Sequence, residues 1–265
     1  MLRQRIASAV VGLAILALVL WVGGTWGWGV LAATGGVIGV IEFYRISGSS
    51  HKPLVLLGCI WTALLVLSPL ATTGLGGVGA AVLGAGLVAS FIWLLASHDK
   101  QLSLPAFVWT LAGVLYVGWL LRYTVALRVL DDGRNWVILT LLTTFATDTA
   151  AFFVGRTWGR HKLSPQVSPG KTKEGAVGGL AGGIVASWVL AMLLHLPLSP
   201  WKALLLGLLV SVFAQIGDLT ESMFKRSAGV KDSGRLMPGH GGILDRIDSI
   251  LLTGIVVYYY VMILT

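Results

Sequence analysis

Apolar positions along this chain gather into nine long runs, each close to the length that crosses about 30 Å of hydrocarbon as a helix. The runs lie near 6–22, 27–44, 54–72, 77–97, 105–121, 135–155, 175–197, 202–223 and 242–264. Short turns rich in Gly, Thr or Pro, around 23–26, 73–76 and 198–201, separate several of them. Asp148 interrupts the sixth run, and the last two carry acids near one end. Arg3 and Arg5 precede the first run, as they would in a signal peptide. No convincing small-x-small cleavage site follows Val22, however, and the second run begins almost at once, so the first run reads as an uncleaved helix.

Composition agrees with that pattern. Apolar residues make up 56% and charged residues 11% of the 265, whereas soluble domains carry about a quarter charged residues. Mean hydropathy is +0.85. The expected fold is an all-α polytopic integral membrane protein with about nine transmembrane helices and a single membrane domain, 1–265. Cys59 stands alone in an apolar run and reads as a small core residue. With the N-terminus inside, 15 Lys and Arg fall on the inner side and 4 on the outer, which predicts an N-in, C-out topology. The stretch 122–134 fits this poorly, with Arg122, Arg128 and Arg134 on the outer side. It reads either as interfacial or as an extension of the fifth helix.

The two halves of the chain differ. Residues 1–130 hold few ionisable groups within their spans and read as structural; Glu42 and Arg45 sit at one span's inner end, as interfacial anchors would, the alternative being that Glu42 faces the active cavity. Residues 131–265 carry two strongly basic inner loops, 156–174 and 224–241, beside Asp148, Asp218, Glu221, Asp245 and Asp248. Gly175, Gly179 and Gly183 repeat a small-xxx-small pattern that predicts close helix packing. No internal repeat is evident, which weighs against an inverted-repeat transporter.

A carboxylate at the centre of a membrane helix costs roughly 2.5–3.5 kcal/mol, so each acid needs a reason. Asp218 and Glu221 are three apart in "AQIGDLTESMFKR", as are Asp245 and Asp248 in "GGILDRIDS", and each pair shares a helical face. The loop between reverses the chain, so the pairs are expected to approach each other near the cytoplasmic surface. Hard oxygen ligands of this kind suit Mg²⁺. The competing reading is ion pairing, Glu221 with Lys225 or Asp245 with Arg246. Asp148 lies among Thr143, Thr144, Thr147 and Thr149, where hydroxyls offer partial solvation; a structural contact and a proton relay both remain open. Soft-metal sites find no Cys pair, and neither His195 nor His240 has a partner at ligand spacing.

The loop "GRTWGRHKLSPQVSPGKTKEG" brings Arg156, Arg160, Lys162, Lys171 and Lys173 together, as a polyphosphate grip or a lipid-facing topology signal would. Gly170-Lys171-Thr172 resembles the end of a P-loop, but Pro165 stands where its first Gly belongs and no strand is expected before it. In "KRSAGVKDSGRLMPGHGGILDRIDS", Pro238 and three Gly surround His240 and permit a tight backbone path with exposed N–H groups, suited to phosphate.

From Ser222 to Asp248 the chain reads "SMFKRSAGVKDSGRLMPGHGGILDRID", which resembles the signature of the phosphatidate cytidylyltransferases, the CDP-diacylglycerol synthases. Every polar position of that signature is present, and Met237 in place of Leu, Ile or Phe is a conservative departure. "DTAAFFVGRTWGRHKLSPQVSPGKTKEG" and "QIGDLTES" also look like this family, and the resemblance spans the chain.

The resemblance implies transfer of the CMP moiety of CTP to phosphatidate, giving CDP-diacylglycerol and pyrophosphate. The lipid phosphate is already an anionic nucleophile, so catalysis would rest on positioning and charge neutralisation. Asp218 and Asp245 are the implied Mg²⁺ ligands, with room for a second cation. Lys171, Lys225, Arg226 and Lys231 would hold phosphates, Ser168 and Thr172 would add hydroxyl contacts, and Asp148 would support the metal or the nucleotide. Asp232, His240, Arg246 and Asp248 would lie in or beside the site. The implied partners are CTP, phosphatidate and membrane lipids, not nucleic acid, with a homodimer kept open. The implied location is a bacterial inner membrane, the active site facing the cytoplasm. A secondary transporter is the main rival, though it gives no reason for the Pro-Gly-His-Gly-Gly turn. Another membrane phosphotransferase is the second, and the D-G-x2-A-R motif of the CDP-alcohol type is missing.

Overall fold

The computed structural model describes residues 2–46, 53–71, 76–97, 100–234, 236 and 241–264. Among these the chain forms α1 (Leu2–Val22), α2 (Gly24–Ile46), α3 (Val55–Leu67), α4 (Gly77–Ala96), α5 (Lys100–Gly113), α6 (Leu120–Val129) and α7 (Gly133–Trp158). A hairpin of β1 (Lys162–Ser164) and β2 (Ser168–Thr172) follows, then α8 (Lys173–Leu193), α9 (Pro200–Ser227) and α10 (Leu244–Leu264). Every apolar run falls on a helix. Seven helices among the described residues are long and apolar enough to cross a bilayer, and Val10–Val22 and Val55–Ala71 are shorter. Large apolar side chains such as Leu56, Leu95 and Ile263 are exposed, as lipid-facing positions are. The protein is an integral membrane protein built on helices.

The chain folds into two compact units, one of Met1–Leu130 with Ala228–Arg246 and one of Asp131–Ser227 with Ile247–Thr265. In the first unit the fifth helix is longer than the apolar run suggested. A π-helical segment, Val114–Trp119, joins α5 to α6, and the helix continues to Val129. Arg122 therefore lies within a helix and not in an outer loop. Its guanidinium is buried, 4.2 Å from the centroid of the Trp119 ring, where the π face offsets part of the lost hydration. The polar tips of other buried aromatics find carbonyls: Trp28 Nε1 donates to Thr124 O at 3.1 Å, and the Tyr44 hydroxyl to Thr110 O at 2.9 Å.

In the second unit the glycine series of α8 packs as its spacing predicted. A Cβ on Gly183 would collide with Ser211 Oγ and Thr147 Oγ1, so its absence lets α7, α8 and α9 approach closely. Those two hydroxyls lie 3.1 Å apart, and each also bonds a carbonyl of its own helix, Thr147 to Thr143 and Ser211 to Gly207. α8 stops at a Schellman turn. His195 takes φ 52°, Leu196 N donates to Ala191 O at 3.0 Å, and His195 N donates to Met192 O at 3.2 Å. The β-hairpin corrects one expectation, since a strand does precede Gly170-Lys171-Thr172. That triplet lies in the extended β2, and Thr172 caps α8 by accepting from Gly175 N at 3.1 Å. The wrapped phosphate loop of a P-loop protein is not formed there.

Gly183→Val should cost about 1–3 kcal/mol through overpacking. Gly84→Ala, whose new methyl meets nothing within 4 Å, should leave stability unchanged or slightly raised. Thermal unfolding of the detergent-purified protein, followed by size exclusion, separates the two outcomes.

Candidate active site

The second unit gathers most of the acids. Asp218 projects from α9, and its Oδ2 is ion-paired at 2.5 Å with Nζ of Lys171, from β2. The hairpin makes this contact possible. Its base is held by Lys173 N donating to His161 O at 2.8 Å, and by Glu174, which accepts from the backbone N–H of Arg160 and His161 and pairs with the His161 ring. Asp218 Oδ1 also lies 3.4 Å from Ser222 Oγ. Asp248, on α10 and buried, is within electrostatic reach of Asp218, Asp148 and Lys225. The close approach of α9 and α10 depends on Gly217, where a Cβ would lie 2.7 Å from the Asp248 carbonyl oxygen.

Several sequence expectations are redrawn by these contacts. Glu221 and Lys225 form a buried ion pair one helical turn apart, so the pairing alternative holds for both and the Lys225 ammonium is engaged by a carboxylate. Thr172 spends its acceptor on capping α8. The Thr144 and Thr147 hydroxyls donate to helix carbonyls and touch Thr253 and Ser211, and Asp148 lies on an exposed face of α7. Ser168 is half-buried at the start of β2, and Arg226 is exposed at the end of α9.

In the first unit the loop before α10 is organised around Asp245. Its Oδ2 accepts from Gly242 N at 2.7 Å, Ser233 Oγ at 2.9 Å and Ser233 N at 3.0 Å. Asp245 sits in the first turn of α10, where the helix dipole favours negative charge. Lys231, Asp232 and Arg246 are exposed around it. His240, with its flanking Pro238 and Gly239, lies outside the described residues.

Of the two readings of Glu42, the interfacial anchor is excluded: it is 2% exposed and bonds both Leu244 N and Ser233 Oγ. Ser233, which bridges Glu42 and Asp245, was not among the candidate residues. The one available signal was a carboxylic acid inside an otherwise apolar stretch of α2.

Within the second unit, a carboxylate oxygen beside the lysines of a hairpin suits phosphate and a hard cation. Comparison with known proteins agrees. The model of the cytidylyltransferase family matches residues 3–264, and the chain belongs to that family. It is 34% identical over 253 residues to the phosphatidate cytidylyltransferase of Staphylococcus haemolyticus, covering 94% of this chain and 95% of that one. With the enzyme of the same name from Synechocystis sp. it shares 34% over 289 residues, 98% of this chain and 97% of the other. The Bacillus subtilis enzyme is 42% identical over 151 residues, 57% of this chain and 56% of its own.

Glu221→Ala should strand the buried Lys225 ammonium and lower stability by about 3–5 kcal/mol, whereas the pair Glu221→Leu with Lys225→Met should recover most of that loss. Chemical denaturation of the two variants in detergent measures the difference.

Proposed function

We propose that this protein transfers the CMP moiety of CTP to phosphatidate, releasing pyrophosphate and leaving CDP-diacylglycerol in the membrane. The observation that carries the reading is the family match along the whole chain. The Lys171–Asp218 pair supports it, because it holds a phosphate-binding cation directly beside a carboxylate suited to metal.

The donor set fits a hard divalent cation. The candidate ligands are oxygens only, and a positive charge already stands on Asp218 as the Lys171 ammonium. Among the described residues no three acidic, His or Cys side chains gather closely enough to hold a metal alone, so substrate phosphate and water would complete the coordination. Asp218 and Asp245 are the ligands we propose, with Asp148 and Asp248 adding negative potential, and the site admits a second cation. Bound Mg²⁺ would neutralise charge on the phosphate oxygens of both substrates.

The chain's own groups do the positioning. The lipid phosphate attacks the α-phosphorus of CTP in line, and no strong general base is required because the nucleophile is already an anion. Lys171, which rests against Asp218 in the free protein, would hold a CTP phosphate. Arg226, Lys231 and Arg246, exposed in the free protein, hold further phosphate oxygens, with Lys225, Ser168, Thr172, Asp232 and His240 beside them. The site faces the cytoplasm of a bacterial inner membrane, in an N-in, C-out arrangement of nine crossings.

Purified protein given labelled CTP, phosphatidate and Mg²⁺ should form CDP-diacylglycerol. Asp218→Ala and Asp245→Ala should each lower kcat on the order of 10²-fold or more. Full rates in both variants would remove the metal-ligand assignment, and no CDP-lipid from the unaltered protein would remove the reaction itself.

A further inference from the structure

Glu42 sits near the end of α2, in a helix whose other residues are almost all apolar. Burial of a carboxylic acid there is costly, on the order of 2.5–3.5 kcal/mol at a helix centre, unless its oxygens are satisfied. Oε2 finds its partners in a segment 191 to 202 positions away in the chain. Glu42 Oε2 accepts from Leu244 N at 2.8 Å and lies 3.3 Å from Ser233 Oγ. Leu244 is the first residue of α10, and its N–H is one of the four that a helix start leaves without an intrahelical partner. Glu42 thus caps α10 from another helix.

The fit is tight on both sides. A Cβ on Gly234 would collide with Glu42 Oε1, and one on Gly242 would collide with Glu42 Oε2 and Ser233 Oγ. The two glycines leave the loop a backbone thin enough to close over the acid. Ser233 then joins Glu42 to Asp245. Its single hydroxyl proton lies between Asp245 Oδ2 at 2.9 Å and Glu42 Oε2 at 3.3 Å, while its N–H donates to Asp245. Ser233, Gly242 and Leu244 are therefore tied to two carboxylates, Glu42 and Asp245.

We infer that Glu42 is a positioning residue for the reaction, holding the turn that carries Asp245 so that this carboxylate keeps a fixed direction for its metal. The inference rests on the reading of Asp245 as a metal ligand. Glu42 touches no substrate; it acts through Ser233 and the start of α10. Loss of an outer partner of this kind costs about 10–100-fold in metal affinity or activity.

The test compares Glu42→Ala with Glu42→Gln, whose amide oxygen can still accept from Leu244 N. Amide hydrogen exchange is measured on the full-length protein without substrate or metal, and the Mg²⁺ concentration for half-maximal CDP-diacylglycerol synthesis is measured alongside. In Glu42→Ala, exchange should accelerate at Ser233, Gly242 and Leu244, and the Mg²⁺ requirement should rise about tenfold or more. Glu42→Gln should restore slow exchange at Leu244 and most of the Mg²⁺ response. Unchanged exchange in Glu42→Ala overturns the inference, and so does faster exchange with an unaltered Mg²⁺ requirement while Asp245→Ala is inactive. A fully active Asp245→Ala removes the metal reading and the role inferred for Glu42 with it, whatever the exchange shows. If Glu42→Ala does not assemble, Ser233→Ala carries the comparison, since it deletes only the shared hydroxyl. It should raise the Mg²⁺ requirement in the same direction, and no change would overturn the inference.

Discussion

A carboxylic acid away from water has to be satisfied where it stands, and this constraint governs how the functional half of the protein is built. Each acid within the apolar helices meets it differently. Glu221 takes the ammonium of Lys225 one turn along its own helix. Asp218 takes Lys171 from a β-hairpin inserted between two helices. Asp245 and Glu42 are satisfied by backbone N–H groups and one serine hydroxyl. The last solution orients Asp245 through fixed N–H and O–H donors, whereas Glu221 is matched by a lysine.

Small residues make those solutions geometrically possible. Gly183 lets Thr147 and Ser211 meet, Gly217 brings α9 against the backbone of α10, and Gly234 with Gly242 lets a loop close over Glu42. Glycine is abundant here at 35 residues, and these positions show what the abundance serves: polar groups reach one another only where backbones come close. Bulk added at such a position has two effects, since it separates helices and also strips partners from buried polar atoms.

The helices were legible because hydrocarbon demands long apolar runs, and every such run lies on a helix. The tight α8 contact was legible from glycines four apart, because helix periodicity places them on one face. The acids of the catalytic half stood out for the same reason, as charges in a chain with few. Their partners did not. Glu221 with Lys225 was one of two readings, since spacing permits a pair without requiring it. Lys171 with Asp218 needs the hairpin, and a strand of five residues containing Pro and Gly gives little alternation to recognise. The choice between the two readings of Glu42 could not be made from sequence because its partners lie 191 and 202 positions away, a separation that no local pattern records. The extension of the fifth helix was one of two readings of 122–134, left undecided because hydropathy alone does not foresee the burial of Arg122 against Trp119.

Charge accounts for why the cations rest on acids at all. Under the proposed reaction two anions must be brought into contact, so the site needs positive charge in quantity, yet lysines with no anion nearby would be poorly accommodated at a membrane edge. Pairing Lys171 with Asp218 keeps one such cation at the hairpin on a partly buried carboxylate until an anionic substrate offers it another partner. Asp245 is held differently: Gly242 N, Ser233 N and Ser233 Oγ all donate to its carboxylate. Its direction is thereby tied to the loop serine and the start of α10, which in turn bond a carboxylic acid contributed by the second helix of the chain.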